Sequence, residues 1–251
     1  MSELKSYTIS EFKKYVDDLR VSRNISLIQV HHTYSPSYKQ FTGNNHITLQ
    51  SNMRSYHIKT NGWSDIAQHF TIFPDGVIVT GRSLEMIPAG IKGANSGAIC
   101  IECLGNFDRG GDKMRDSQKN AVIAAVKIMA DKFGINPETG VVYHSWWTSD
   151  GKKIGDYDAA KSSKTCPGTN FFGGCSRSAF EKNLLPLITQ YNSKKDSTQT
   201  LKCVESINDI IWELCNASII TDSNLWMKKC KEDNNVYWLC KKMANHLRGT
   251  L

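Results

Sequence analysis

The sequence predicts an α/β domain followed by a small all-α domain, and three observations lead to this fold class. Over residues 1–191, β-branched runs alternate with segments whose apolar residues recur at helical spacing. A polar stretch over residues 192–201 indicates a linker, and over residues 202–251 the helical spacing alone recurs. With 251 residues and 40% apolar content, the chain is long enough for one medium domain and one small domain.

The first predicted elements are a helix, a strand and a second helix. Thr8, with Glu11 three residues later, forms a capping-box pattern that predicts a helix over about residues 10–20. A β-branched run then predicts a strand that ends at His31, and residues 45–59 follow as the second helix.

A hairpin and a buried strand are predicted next. Asp75-Gly76 lies between residues 68–73 and 77–79, which is the pattern of two strands joined by a tight turn. Residues 98–104 form an apolar run interrupted by one charge, at Glu102. Such a run predicts a buried strand, so the charge within it requires a chemical reason.

Two helices and one strand complete the predicted first domain. Small and apolar residues on one face predict a helix over residues 117–133, which Gly134 ends. The run at 141–144 predicts a strand that ends in His144, and residues 178–191 predict the last helix.

The C-terminal domain is predicted to be a three-helix bundle. Val204 to Leu214 marks one helix, Asp222 can cap a second, and Asn234-Asn235 can cap a third. A bundle of about 50 residues is near the lower size limit for independent folding. We therefore expect its aromatic residues to form its core: Trp212, Trp226, Tyr237 and Trp238.

Composition narrows the class of protein. The net charge of +7 favours polyanionic partners, which include nucleic acid and anionic cell-wall polymers. The first residues lack a secretory pattern, and no stretch of about 18 apolar residues predicts a membrane span. We expect synthesis in the cytoplasm without a signal peptide, reduced cysteines and no membrane insertion.

Three separated residues suggest a metal site. His31 and His144 each close a β-branched run, so each imidazole lies where a strand ends, and Cys166 follows on a loop rich in proline and glycine. Two imidazoles and one thiolate form a three-ligand zinc set, and the fourth tetrahedral position is then left to water. That arrangement is typical of a catalytic zinc ion and predicts a hydrolase.

Two more residues supply what zinc-dependent amide hydrolysis needs. Glu102, a carboxylate in an apolar strand, is the candidate general base. Lys164, two residues before Cys166, is the candidate group that stabilises the oxyanion. The alternative for Glu102 is a structural ion pair, for which Arg82 would be the partner.

These residues belong to an ordered set that resembles the zinc N-acetylmuramoyl-L-alanine amidases. This family includes phage endolysins, bacterial wall amidases and animal peptidoglycan recognition proteins. The resemblance covers about residues 24–190, and five segments carry it: Val30-His31-His32-Thr33, residues 62–70 with Pro74-Asp75-Gly76, Ile99-Cys100-Ile101-Glu102, His144, and Lys164-Thr165-Cys166-Pro167-Gly168.

The resemblance implies a mixed central β-sheet flanked by helices, with one Zn²⁺ ion in a surface groove. By position, His31, His144 and Cys166 match the zinc ligands, Glu102 the general base and Lys164 the electrophilic helper. The implied reaction is hydrolysis of the amide between N-acetylmuramic acid and L-alanine in peptidoglycan. Substrate-binding residues stay unassigned.

The sequence departs from the family pattern in two places. Gln68 stands where some members have a catalytic tyrosine, and those members generally lack the strand glutamate, so Glu102 makes this chain resemble the glutamate-using branch. The span between His144 and Cys166 holds 21 residues, more than is usual in the family. It carries aromatic and lysine residues, so we expect the loop at 145–163 to wall one side of the groove.

The other histidines have competing interpretations. Adjacent strand residues point to opposite faces, so either His31 or His32 can face the metal, and the family pattern selects His31. His69 is expected to be a buried, hydrogen-bonded strand residue. His46 and His57 are expected to be structural or exposed.

Three functions are therefore compared. The leading hypothesis is a lytic endolysin that acts on the wall after release, with the C-terminal domain tethering it to anionic wall polymers. The second is a peptidoglycan sensor of the same fold without catalysis. The third, a nucleic-acid-binding protein, is ranked last because no predicted helix combines clustered Arg and Lys with aromatic residues.

Overall fold

A computed structural model describes residues 2–192, 210–211, 214–215 and 219–247. The strands are β1 (Ser6–Tyr7), β2 (Leu27–His32), β3 (Phe70–Ile72), β4 (Ile78–Thr80), β5 (Ala98–Cys103) and β6 (Val141–Tyr143). The helices are α1 (Ile9–Asp18), α2 (His46–Lys59), α3 (Asp116–Phe133), α4 (Pro137–Gly140), α5 (Arg177–Ala179), α6 (Leu185–Gln190), α7 (Ser223–Glu232) and α8 (Asn234–Leu247).

The six strands form one mixed sheet in the order β1-β4-β3-β5-β2-β6. The pairs β3–β5, β5–β2 and β2–β6 are parallel, whereas β1–β4 and β4–β3 are antiparallel. Helices flank this sheet, so the predicted α/β class with a mixed sheet is confirmed. Because β2 and β6 run in the same direction side by side, their carboxyl ends meet at one edge of the sheet.

Alternation along the central strands separates a core face from a polar face. Ile28 and Val30 of β2 pair with Ile99 and Ile101 of β5, and all four are buried in the main core. Helices α1 and α3 contribute to the same core, α3 through residues such as the fully buried Val122. The intervening residues of β2 and β5 project from the opposite face, which leaves that face free to carry the polar residues of the site.

Local signals explain where the two core helices begin and end. The capping box at α1 forms as predicted, with the Thr8 side chain accepting from the Glu11 backbone and the Glu11 carboxylate accepting from the Thr8 backbone. Helix α3 ends at Gly134, which has the left-handed conformation (φ 64°, ψ 31°). The predicted last helix is α5 and α6 joined by a π turn at Phe180–Leu184.

Helix α2 covers part of the polar face at the β4 side. Leu49 of α2 is buried in a smaller cluster with Phe41, Phe73, Val79 and Leu104. Val79 of β4 is in register with Thr71 of β3, and Thr71 is in register with Glu102 of β5. The apolar cluster therefore packs one end of the face, and the polar residues occupy its other end.

The C-terminal residues that the structure describes are helical and share their own hydrophobic cluster. Asp222 caps α7 by accepting from the Leu225 backbone, as its side chain predicts. The cluster is made of residues from 210 to 244, with Trp226 and Tyr237 packed against it. The predicted linker, apart from residue 192, and most of the first predicted C-terminal helix lie outside the described residues. The domain boundaries stay a prediction.

No helix among the described residues is both long and apolar enough to cross a membrane.

Candidate metal centre

His31, His144 and Cys166 meet at the carboxyl edge of the sheet. One ligand atom from each residue lies within 4.8 Å of the other two, and His31 and Cys166 are buried while His144 is half-buried. His31 is near the end of β2 and His144 directly follows β6, its parallel neighbour. The sheet topology thus brings together two imidazoles separated by more than a hundred residues in sequence.

The long loop between His144 and Cys166 brings the thiol to this edge. The Ser145 backbone N–H donates to the Cys166 carbonyl at 2.9 Å, and the Ser162 hydroxyl donates to the Ser145 carbonyl at 2.6 Å. The carboxylate of Asp108 accepts from the Thr165 hydroxyl at 3.0 Å and from the Thr169 backbone N–H at 2.9 Å. Hydrogen bonds on both sides therefore fix the cysteine segment.

Two aromatic residues of this loop are buried in the core, while the expectation that the loop walls one side of the groove stays a prediction. Trp146 is fully buried and its indole N–H donates to the Cys175 carbonyl at 2.9 Å, and Trp147 is also buried in the main core. Tyr157 is half-buried. The loop is long because it carries part of the hydrophobic core, and the sequence alone does not separate buried tryptophans from groove-lining ones.

The structure also separates the two adjacent histidines. Nδ1 of His31 lies 3.4 Å from the Cys166 sulfur, and the rings of His31 and His144 meet edge to face with centroids 5.2 Å apart. His32 is outside this group, and its Nδ1 accepts from the Phe107 backbone N–H at 3.1 Å. The strand alternation that predicts one metal-facing histidine of the pair is therefore observed.

Burial sets the protonation of the two imidazoles. Desolvation lowers the pKa of His31 well below its usual value, and the proximity of His144 and Lys164 acts in the same direction. Desolvation lowers the pKa of His144 to about 4, again with help from Lys164. Both rings are thus neutral near pH 7, which is the form that binds a metal ion.

The cysteine is influenced by opposing effects. Burial raises the pKa of the Cys166 thiol, whereas a hydrogen bond from the His32 backbone N–H and the charge of Lys164 lower it. A cation at this position would deprotonate the thiol outright. The backbone N–H that points at the sulfur then becomes a charge-assisted donor to the thiolate.

Glu102 lies next to His31 in the sheet. The two residues are in register on β5 and β2, so their side chains share the polar face. Desolvation raises the pKa of Glu102 to about 7, and Lys164 opposes that shift. A carboxyl group with a pKa near the working pH is suited to general base catalysis.

The alternative partner for Glu102 is engaged elsewhere. The guanidinium group of Arg82 donates to the carbonyls of Asp65, Ile66 and Ile87 at 2.7–3.0 Å. Among the described residues, the ion pairs do not include one between Arg82 and Glu102. The structure therefore does not support the interpretation of Glu102 as half of an ion pair with Arg82.

Lys164 is an exposed residue two positions before Cys166. Its charge affects the pKa of Glu102 and of both metal-facing histidines, so the ammonium group lies within electrostatic range of all three. The structure therefore brings all five predicted site residues into one region.

The remaining histidines of the first domain have structural partners. His69 is fully buried; its Nδ1 accepts from the Cys100 backbone at 2.9 Å and its Nε2 contacts the Met86 carbonyl at 3.0 Å. The predicted burial and hydrogen bonding are confirmed, although His69 directly precedes β3 and is not part of the strand. His46 contacts the Asp75 carboxylate at 2.7 Å, and His57 accepts from the backbone of residue 67 at 3.1 Å. Gln68, at the position of the family tyrosine, is buried and its amide donates to Thr71 at 2.9 Å.

Sequence reasoning missed two residues that hold the centre together. Asp108 fixes the cysteine loop, and Gln29, fully buried on β2, contacts His31. Gln29 could have been predicted from the sequence, because it is a polar residue two positions before a predicted ligand in an otherwise apolar strand. Asp108 had none, because its partners are distant in sequence and it lies in a loop.

The donor set fits zinc. Two imidazole nitrogens and one sulfur within ligand reach of one another are a set that zinc accepts, and three protein ligands leave a fourth position for water or substrate. The fold and this site thus define a mixed-sheet α/β domain with a His-His-Cys group that can bind a metal, beside a half-buried carboxylate.

Comparison with known proteins places the chain in a family. Residues 21–169 match the N-acetylmuramoyl-L-alanine amidase family, and the chain belongs to it. Peptidoglycan-recognition protein SC2 of Drosophila melanogaster is 28% identical over 127 residues, which are 50% of this chain and 60% of that protein. The endolysin of Enterobacteria phage K11 is 26% identical over 92 residues, which are 37% of this chain and 60% of the endolysin. In both cases the match spans less than two thirds of the relative.

A solved structure shows the same fold. Drosophila PGRP-LB superposes with a TM-score of 0.51 at 20% sequence identity, covering 70% of this chain and 89% of that one.

Proposed function

We propose that this protein is a zinc-dependent N-acetylmuramoyl-L-alanine amidase that hydrolyses the amide bond between N-acetylmuramic acid and L-alanine in bacterial peptidoglycan. The observation that carries the proposal is the convergence of His31, His144 and Cys166 beside Glu102, in a chain that belongs to this family. A binding protein without catalysis would have no need for a carboxylate with a raised pKa next to three metal-ligating side chains.

Each residue has a defined role in this proposal. Zinc, when bound by the three ligands, supplies a Lewis acid that activates water for attack on the amide carbon. Glu102 accepts a proton from the attacking water and then donates it to the leaving amine. Its pKa of about 7 allows both transfers near neutral pH.

Lys164 stabilises the negative charge that develops on the carbonyl oxygen. An exposed ammonium group next to the buried centre can reach substrate without being withdrawn from water beforehand. The polar partners of the cysteine loop hold Lys164 close to the reacting bond, because it lies within the segment that Asp108 and Ser145 fix.

We further propose that the enzyme acts as an endolysin. In this role it would act on the cell wall after release. Part of the chain is similar to a phage endolysin, which supports this role. The C-terminal domain would tether the enzyme to wall polymers and thereby raise the effective concentration of substrate.

The second candidate is a peptidoglycan sensor of the same fold without catalysis. The similarity of this chain to peptidoglycan-recognition protein SC2 supports this second candidate. Such a protein would bind the wall and leave it intact, so cleavage products separate the two functions.

The test is mass spectrometry of purified bacterial peptidoglycan digested with the 251-residue chain in the presence of zinc. We expect free stem peptides that begin with L-alanine, together with intact glycan strands. His31→Ala should abolish this release, and His57→Gln, which changes a half-buried histidine of α2 outside the centre, should retain it. Binding without release would support the sensor, and new reducing sugars would indicate a muramidase.

A further inference from the structure

The second nitrogen of the His31 ring has a buried partner that the proposed reaction does not use. Gln29 lies two residues before His31 on β2, so both side chains project from the same face of the sheet. Its Oε1 is 3.3 Å from His31 Nε2, and the glutamine is fully buried. The other ring nitrogen, Nδ1, faces the Cys166 sulfur.

Surrounding acceptors fix the orientation of the Gln29 amide. Its Nε2 donates to the Ala94 carbonyl at 2.8 Å and lies 3.5 Å from Asn95 Oδ1. Asn95 Oδ1 itself accepts from the backbone N–H groups of Gly90 and Ile91, at 3.0 and 2.9 Å, which identifies it as an oxygen. The end of the Gln29 amide near these two acceptors must be its NH₂ group, so the end near His31 is its oxygen.

This orientation determines the tautomer of His31. An amide oxygen accepts hydrogen bonds and cannot donate, so the proton of the neutral imidazole is on Nε2. Nδ1 then carries the lone pair, and it is the nitrogen on the side of Cys166 and His144. A ligand histidine whose other nitrogen donates to a neighbouring acceptor is held in both tautomer and ring orientation.

The neighbouring loop leaves space for this contact. A Cβ atom built on Gly90 would lie 2.1 Å from Gln29 Oε1 and 3.1 Å from both His31 Nε2 and Cys100 Sγ. Gly90 is not in the left-handed region, so its small size is what the site requires. Any side chain here would intrude on the pair formed by Gln29 and His31.

We propose that Gln29 is a positioning residue that keeps the His31 proton on Nε2 and directs Nδ1 to the metal, with Asn95 and Gly90 holding Gln29 in place. The inference rests on the proposed zinc site for its function. The tautomer itself can be measured without zinc, so the two proposals can fail separately.

The first measurement is the ¹⁵N chemical shifts of the His31 ring in the metal-free 251-residue chain at neutral pH. We expect the Nε2–H tautomer in the wild type and a mixture of tautomers in Gln29→Leu. A wild-type ring with its proton on Nδ1 would overturn the inference whether or not the protein binds zinc. This wild-type measurement also tests the inference if the Gln29→Leu variant fails to fold.

The second measurement is zinc affinity by chelator competition. Gln29→Leu and Gly90→Ala should each weaken binding by about 10–100-fold. Gln118→Leu is the matched control, because Gln118 is equally buried and donates to two backbone carbonyls outside the His-His-Cys group, those of Ile72 and Leu104.

Unchanged zinc affinity in Gln29→Leu would overturn the positioning role, and so would an equal loss in Gln118→Leu, since that would indicate a general effect on stability. A wild-type chain that binds no zinc would contradict the proposed function, and the tautomer measurement would then decide the inference alone.

Discussion

At the residue scale, the environment of Glu102 connects the sheet to the proposed chemistry. A carboxyl group in an apolar strand is unfavourable when ionised, and the raised pKa expresses that penalty. The charge of Lys164 limits this shift, so the pKa of Glu102 is about 7 and not higher. The strand register places Glu102 beside His31. A carboxyl group with this raised pKa is therefore next to the candidate metal site, where it can act as a general base.

Replacing the carboxyl group should separate metal binding from catalysis. We expect Glu102→Gln to retain zinc, because Glu102 is outside the His-His-Cys group, and to lose about 10²–10⁴-fold in rate, the usual contribution of a general base. Metal content and the initial rate of stem-peptide release are the measurements. Glu11→Gln, a change in the exposed capping box of α1, is the control for activity. Normal cleavage by Glu102→Gln would refute the assignment of the base.

His69 should make the folded state sensitive to acid. Burial lowers its pKa to about 3, against 6.5 for an ordinary histidine, so at pH 5 the unfolded chain binds a proton that the folded chain does not. The stabilisation is therefore present above pH 6.5 and is lost as the pH falls, by about 2 kcal/mol between pH 7.5 and pH 5.

The matching variant is His69→Asn, whose side-chain oxygen can still accept from the Cys100 backbone. Denaturant unfolding at the two pH values should show a loss of stability that is smaller in the variant by about 2 kcal/mol. Equal losses in the two proteins would show that His69 is not the group responsible.

The sequence predicted the candidate metal ligands, but it did not predict the residues that hold these ligands in position. His31, His144 and Cys166 could be predicted because metal chemistry restricts residue types and because strand ends place side chains at one edge. Gln29 and Asp108 act through hydrogen bonds to partners that local patterns do not identify. The choice of His31 over His32 needed the family pattern, since alternation alone selects one of the pair without saying which.

At the scale of elements, the loop at 145–163 holds two buried tryptophans that its composition did not predict. Its tryptophans pack inward, and its backbone ties Ser145 to Cys166. Composition suggested a groove wall because aromatic and charged residues together are typical of binding loops. The loop contributes to the core next to a candidate metal ligand, and its role as a groove wall stays a prediction.

Elements with strong local signals were predicted well, and those made by distant partners were not. The capping box of α1 and the glycine after α3 define helix ends without reference to the rest of the chain. Strand β1, two residues long, exists because Ser6 and Tyr7 pair with β4, about seventy residues away. Nothing in its own sequence distinguishes it from a loop.

The C-terminal end of α3 offers a test of a single local signal. Gly134 is in the left-handed region, and a Cβ there would meet no atom within 4 Å, so an added side chain changes backbone strain without a steric clash. Gly134→Ala should lower the free energy of unfolding by about 1 kcal/mol. Gly134→Asn should lose less, because asparagine tolerates this conformation. Denaturant melts measure both, and an alanine variant as stable as the wild type would contradict the account of this helix end.

At the scale of the whole molecule, the described residues form separate hydrophobic clusters. The main core and the smaller cluster beside α2 draw on residues before 192, whereas the third cluster draws on residues 210–244. The division into a catalytic and a C-terminal domain stays a prediction. The metal-ligating residues and both candidate catalytic residues belong to the first of these parts.

The central claim is that three side chains from distant parts of the chain bind one zinc ion. X-ray absorption at the zinc edge, on the 251-residue chain loaded with one equivalent of zinc, tests it most directly. The account predicts one sulfur at about 2.3 Å and two imidazole nitrogens at about 2.0–2.1 Å, with the sulfur lost in Cys166→Ser. A zinc shell without sulfur in the wild type, or one that Cys166→Ser leaves unchanged, would contradict it.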